Sequence, residues 1–293
     1  MTPEKKGEFF IFLETSLWAA FPIVTVLSYA VLPSLVSFAW SVLFSAILFG
    51  GMVVYRKTWR EMANPVLWKY IFFITLFVGI LFYGLYFVGL ESTTPGNAAI
   101  IVLFQVFTSF FLFNLFRDEL FSLEHKVGAF CMVIGALIVL APNFSGVNVG
   151  DFLILAATFI VPFGNLYSKK AREIASSETI MFLRTVCSAP VIFLLAYFIG
   201  SRATTADIIM VLPLLLINGV LLLGLSKIFF LEGIHRISVT KAVALESLGP
   251  LLTLILAWVF LSQLPSIWQI SSLVPFIIGV FLLTGQLRFS TRK

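Results

Sequence analysis

The stretch that decides the fold runs from Val239 to Leu264 and reads VTKAVALESLGPLLTLILAWVFLSQL. At about 1.5 Å per helical residue it is long enough to cross a hydrocarbon core of roughly 30 Å. It carries a carboxylate, Glu246, followed closely by the pair Gly249-Pro250. A charged side chain in lipid costs a few kcal/mol or more, so a carboxylate at this depth is expected to face protein, water or a bound molecule. Proline removes a backbone donor and clashes with the preceding turn, which predicts a kinked helix. An acid at mid-depth beside a kink is where a membrane carrier would place a site.

The rest of the chain agrees. Of its 293 residues 60% are hydrophobic and only 11% charged, whereas a soluble domain averages about 25% charged residues. With a mean hydropathy of +1.07, this is a polytopic membrane protein. The net charge of +5 fits the surplus of Lys and Arg in cytoplasmic loops. The basic residues form no surface stripe of the kind nucleic acid requires. Cys131 and Cys187 both lie in apolar runs without a CxxC or Cys/His neighbour, so neither a disulfide scaffold nor a metal site is expected. The first apolar run, from about Phe9 to Leu27, is too long for a typical signal-peptide core and reads as an uncleaved span.

Apolar runs bounded by charges or Gly/Pro predict ten helices, at roughly 9–28, 34–55, 67–90, 95–115, 125–141, 149–169, 178–199, 207–231, 238–261 and 267–287. With the N-terminus inside, one face receives Lys5, Lys6, Arg56, Lys57, Arg60, Lys69, Arg117, Lys126, Lys169, Lys170, Arg172, Arg236, Arg288, Arg292 and Lys293, and the other only Arg202. That asymmetry predicts cytoplasmic N- and C-termini and a plasma (cell inner) membrane protein. The halves also align at a shift of 144 residues: Gly89 falls on Gly233, Ala98 on Ala242, Gly135 on Gly279, Glu119 on Gln263 and Phe21 on Asn165. Five helices per half is an odd number, so the second half must be inverted. The expected fold is all-α, two inverted five-helix repeats (1–145 and 146–293) around a central cavity. Inverted repeats around a midplane site are a common secondary-transporter plan.

The run Pro250-Leu-Leu-Thr-Leu-Ile-Leu-Ala-Trp258-Val-Phe-Leu-Ser-Gln263 resembles the P-L-F-T-A-L-L-A-W-L-L-L-G-E signature of the drug/metabolite transporter superfamily, EamA type. Its first-half counterpart, Gln105-Val-Phe-Thr through Arg117-Asp-Glu119, is similar. Two departures stand out: Gln105 replaces a proline and Gln263 a glutamate. Leu17-Trp18-Ala19-Ala20 and Pro162-Phe163-Gly164-Asn165 resemble the openings of the family's first and sixth helices. The resemblance covers essentially the whole chain. It implies a basket whose cavity is lined by helices 1, 3, 4, 6, 8 and 9, with helices 5 and 10 further from the substrate path.

Several residues are candidates for the site. Glu246 can exchange a proton or hold a cationic group; alternatively a neighbouring lysine neutralises it and it serves packing. Glu14, about one and a half turns into the first predicted span, resembles the cation- or proton-binding first-helix glutamate of the small multidrug members. Asn97, Gln105 and Thr108 are expected on roughly one face of the fourth helix. Amides there can satisfy both ends of an amino acid, although such groups also join helices in membranes. Asn165 and Asn218 are isolated polar groups on predicted lining helices, and Trp18, Tyr83 and Tyr86 could form an aromatic wall. Pro22, Pro95, Pro162 and Pro250 are the candidate hinges.

Lys227 and Lys241 read as interfacial lysines that snorkel. Turned inward they would bind phosphate or carboxylate, as the organic-phosphate branch of the superfamily requires. Arg184 reads as an interfacial anchor. No HExxH, GxSxG or P-loop is present, which predicts gradient-driven transport with no cofactor and no enzymatic chemistry. The expected function is secondary transport, in the export direction, of a small organic metabolite such as an amino acid. Its expected partners are that small molecule and membrane lipid. A ten-helix repeat pair encloses its own cavity, so a monomer suffices. The alternatives are an organic-phosphate or nucleotide-sugar exchanger, a membrane-embedded enzyme and a passive channel.

Overall fold

The structure, a computed structural model, describes residues 2–115, 123–140 and 148–287. The described residues build ten membrane helices. We label them α1 (Pro3–Trp18 and Phe21–Ser28), α2 (Ser34–Arg56), α3 (Pro65–Leu90), α4 (Pro95–Val102 and Gln105–Leu115), α5 (Leu123–Leu140) and α6 (Val149–Arg172). The remainder are α7 (Ser177–Phe198), α8 (Leu212–Arg236), α9 (Val239–Glu246 and Gly249–Leu261) and α10 (Ile267–Leu283). Local chemistry marks many of the starts. Thr2, Asn64 and Thr94 each accept a backbone N–H from the first turn that follows, with Pro3, Pro65 and Pro95 as the first helical residue. Proline is favoured there because its missing N–H would have no partner anyway.

Three boundaries differ from expectation by five residues or more: the start of the first helix and both ends of the eighth, which closes at Arg236 and not at 231. The first helix begins at Pro3, so Glu14 lies eleven residues inside it. The eighth begins at Leu212, five residues later than predicted. A separate short helix, Thr205–Met210, closed by a Thr204/Asp207 capping box, takes up the apolar residues that blurred its start.

The two halves share more than their helix count. The fourth helix is interrupted at Leu103–Phe104 and the ninth at Ser247–Leu248, positions related by the same shift of 144. Both α3 and α8 contain a π-helical segment, Thr75–Phe82 and Ile217–Leu225. The helices pair equivalently: α2 with α7, α5 with α10, α1 with α8 and α6 with α3. The last two crossings both run through glycines. A Cβ on Gly150 would strike the Gly89 carbonyl, and one on Gly7 would lie 3.4 Å from the Gly233 carbonyl. Small residues let membrane helices approach this closely.

Side chains such as Phe72, Phe130, Leu194, Ile255 and Trp258 remain exposed on the outer surface. An apolar exterior is what a bilayer solvates. Trp258, the aromatic residue of the signature run, is therefore on the outside and away from the cavity. The boundary expected at 145/146 lies outside the described residues, as do Arg117, Glu119, Arg288, Arg292 and Lys293.

Candidate functional site

The α9 helix stops at Glu246 and restarts at Gly249, with Pro250 in the first turn of the new segment. There the proline costs no helical hydrogen bond, and Glu246 is left at a helix end instead of in a continuous cylinder. The break in α1 follows the same logic, with Pro22 opening Phe21–Ser28. Thr253 of α9 donates its hydroxyl to the Ala19 carbonyl in that break, at 2.9 Å. Pro162 is different: it lies inside an uninterrupted α6. Pro95 starts α4 and so marks a helix boundary. Of the four expected hinge prolines, two sit at breaks within a span.

Glu246 opens onto an internal cavity. Its polar lining comprises Glu14, Gln105, Asn165, Ser168, Arg184, Lys227 and Glu246, and Trp18 and Tyr83 supply aromatic surface. A neighbouring hollow shares Trp18, Gln105 and Glu246 and reaches Tyr86, Pro22 and Pro250. The lining comes from α1, α3, α4, α6, α8 and α9 and also from α7, through Met181 and Arg184. Helices α5 and α10 pack on each other and contribute nothing to it.

Charge dominates the centre. Lys227 Nζ is ion-paired with Glu14 Oε1 and lies 3.5 Å from the centroid of the Trp18 ring. Gln105 Nε2 donates to Glu246 Oε2 at 3.3 Å. Glu246 is within electrostatic reach of both Glu14 and Lys227. Arg184 sits over the Tyr83 ring, 5.7 Å from its centroid, and among the described residues no carboxylate pairs with it. Each of these ions would be costly alone in lipid. Grouped around a polar hollow, they offset one another.

The structure separates the other candidates. Thr108 donates to the Thr158 carbonyl at 2.6 Å and joins α4 to α6 without reaching the cavity. Asn97 is not on the Gln105 face, because the break at Leu103–Phe104 interrupts the helical register. It belongs to a separate network where α4, α6 and α10 begin, donating to Asp151 Oδ2 at 3.1 Å and accepting from Gln269 Nε2 at 2.7 Å. Asn218 is buried and donates to Thr25 Oγ1 at 3.0 Å, outside the cavity lining.

Lys227 does not snorkel to an interface. It is 9% exposed and turned inward. Arg184, at 5% exposed, is likewise a lining residue and not an interfacial anchor. Intramembrane charge was the available signal for both. Lys241 does stay near the surface, paired with Glu4 at 2.5 Å and Glu8 at 2.7 Å.

Comparison with known proteins agrees with this architecture. An uncharacterized transporter of Methanothermobacter thermautotrophicus is 28% identical over 206 residues, covering 68% of this chain. The matched part spans 59% of that relative's own length. A solved crystal structure superposes with a TM-score of 0.70 over 97% of this chain and 99% of its own, at 16% identity, a likeness of fold alone. The EamA-like transporter family model matches twice, at residues 5–141 and 148–285, once on each half. The chain is thus a multi-pass membrane protein and belongs to the EamA-like transporter family.

Proposed function

We propose that the chain is a secondary transporter that exports a small organic metabolite with the charge pattern of an amino acid. The observation that carries this reading is the charge balance of the cavity. Two cations, Lys227 and Arg184, and two carboxylates, Glu14 and Glu246, line it together. With both acids ionised the set sums to zero, which suits a zwitterion better than a dianion. Arg184 is free of a carboxylate among the described residues and is the natural partner for a substrate carboxylate, since its planar fork binds one in two places. Glu246, with Gln105 beside it, faces the ammonium group. Asn165, Trp18 and Tyr83 complete the walls, and Tyr86 contributes through the adjoining hollow.

Transport by alternating access would rock the halves, 1–145 and 146–293, about this centre, bending at the breaks beside Pro22 and Pro250. Glu14 and Glu246, two acids close together with Lys227 paired to the first, form the ion-coupling pair. The chain lies in the cell inner membrane with both termini cytoplasmic, by its basic-residue asymmetry. The test is counterflow in proteoliposomes loaded with unlabelled amino acids, quaternary amines or sugar phosphates, followed at two pH values. Saturable exchange of amino acids supports the reading. Exchange confined to phosphorylated compounds would replace it with the organic-phosphate reading, which the inward orientation of Lys227 and Arg184 favours. Flux without saturation or counterflow would mean a channel.

A further inference from the structure

One position in the cavity is built for a cation and already holds one. The Trp18 indole is fixed by stacking on Phe21, with ring centroids 4.2 Å apart and planes 10° apart. Beside it lies Glu14, fully buried, whose Oε2 has no hydrogen-bond partner among the described residues. An aromatic face with a carboxylate at its edge is the arrangement that recognises alkylammonium groups. Both of its walls come from α1. The ammonium that fills it comes from α8, on the end of Lys227, 3.5 Å from the ring centroid and ion-paired with Glu14.

We propose that Lys227 is a tethered occupant of an alkylammonium site, and that by occupying it this side chain sets the charge selectivity of the cavity. The inference rests on the reading of this cavity as the transport site. A free monovalent amine must compete with a lysine held in place by its own backbone, whose effective concentration is high. A substrate that also carries a carboxylate has Arg184 as a second foothold and need not displace it. Without the lysine ammonium, the indole would remain beside Glu14, with Glu246 as a second acid close by, a site for a quaternary ammonium ion.

The experiment is equilibrium binding of labelled choline to the purified full chain in detergent. Lys227→Gln should bind choline at least about tenfold more tightly than the wild type. Trp18→Ala in that background should remove most of the gain. Glu14→Gln in the same background, which removes the carboxylate paired with Lys227 and leaves only Glu246 nearby, should remove the gain. Where Lys227→Gln alone does not give a monodisperse protein, choline present during purification should restore one, because a ligand of the native state stabilises it.

Equal choline affinity in wild type and Lys227→Gln would overturn the proposal. So would a gain that survives Glu14→Gln, or an unstable variant that choline does not rescue. The two readings fail separately. Loss of amino-acid counterflow with the choline gain intact would remove the proposed substrate only, and counterflow without the gain would remove the tethered cation only.

Discussion

The two halves of the molecule share a backbone plan and differ in chemistry. Their equivalent positions meet in one cavity: Tyr83 of α3 corresponds to Lys227 of α8, and Val102 of α4 to Glu246 of α9, and all four line it. The matching helix breaks and π-helical segments deliver these residues from opposite directions. The first half thus offers a phenol and an apolar side chain where the second offers a cation and an acid. In the proposed transport cycle this symmetric frame would tilt both ways, and the asymmetry that substrate recognition needs would come from substitution at these equivalent sites.

The connections before α3 and α8 repeat the lesson. The 3₁₀ turn Thr58–Ala63 is tied to the other half, with Glu61 Oε2 accepting from both the backbone N–H and the hydroxyl of Ser176, each at 2.8 Å. Its counterpart, Thr205–Met210, closes on itself through Thr204 and Asp207.

The largest contrast should appear at the Val102/Glu246 pair. Glu246→Gln is expected to lower exchange by about tenfold to a hundredfold, the range for losing a hydrogen bond to a charged group. It should also flatten the pH dependence of flux while the protein still folds. Val102→Ala should change the rate only a few-fold. Unchanged pH-dependent flux in Glu246→Gln would remove this acid from the mechanism.

Next come the glycine crossings. Gly150→Ala would meet the Gly89 backbone carbonyl, which cannot yield, and should cost about 1–3 kcal/mol. Gly233→Ala meets mainly the Ile11 side chain and should cost less. Thermal unfolding in detergent compares them, and equal losses would mean the two crossings are equally tight.

Glu61→Ala, which removes a tie between the halves, should cost about 1 kcal/mol by the same assay. The smallest effect is expected for Thr204→Ala. The Thr204 backbone N–H and then its hydroxyl hold the Asp207 carboxyl below the usual carboxylate range. A lowered carboxyl stabilises the fold above its unfolded pKa and loses that contribution as pH falls through the folded value. Wild type and Thr204→Ala should therefore differ most at neutral pH and less in acid, below about pH 4, where the lost cap on the Asp207 backbone N–H remains as the residual difference. A difference of the same size at both pH values would mean that the Asp207 carboxylate contributes nothing.

Much of this frame is written in hydropathy. Apolar length and flanking charge placed all ten helices, and a handful of small residues revealed the shift that relates the halves. The Gly249-Pro250 pair pointed to the break beside Glu246. The matching interruption at Leu103–Phe104 has no such mark, because the local sequence is Ile-Ile-Val-Leu-Phe. Without it Asn97 appeared to share a face with Gln105, when it lies in the network with Asp151 and Gln269. Lys227 and Arg184 were visible as charges within spans, but the direction of a long side chain depends on its neighbours. Trp18 and Glu14, more than two hundred residues upstream, draw Lys227 inward. The signature run announced the family largely through packing residues: its tryptophan faces outward, and only its Pro250 end reaches the hollow beside the cavity.

The ion pair between Glu14 and Lys227 also imposes an order on biogenesis. Its partners are 213 residues apart in the chain. At roughly 5–20 residues per second of synthesis, the first helix waits about 10–40 s for its countercharge to be made. During that interval the acid has to be protonated, kept near the water interface, or sheltered by the insertion machinery, since an isolated carboxylate in lipid is unfavourable. The arrival of the eighth helix therefore supplies the countercharge that lets the first settle at its final depth, before the ninth and tenth have been made.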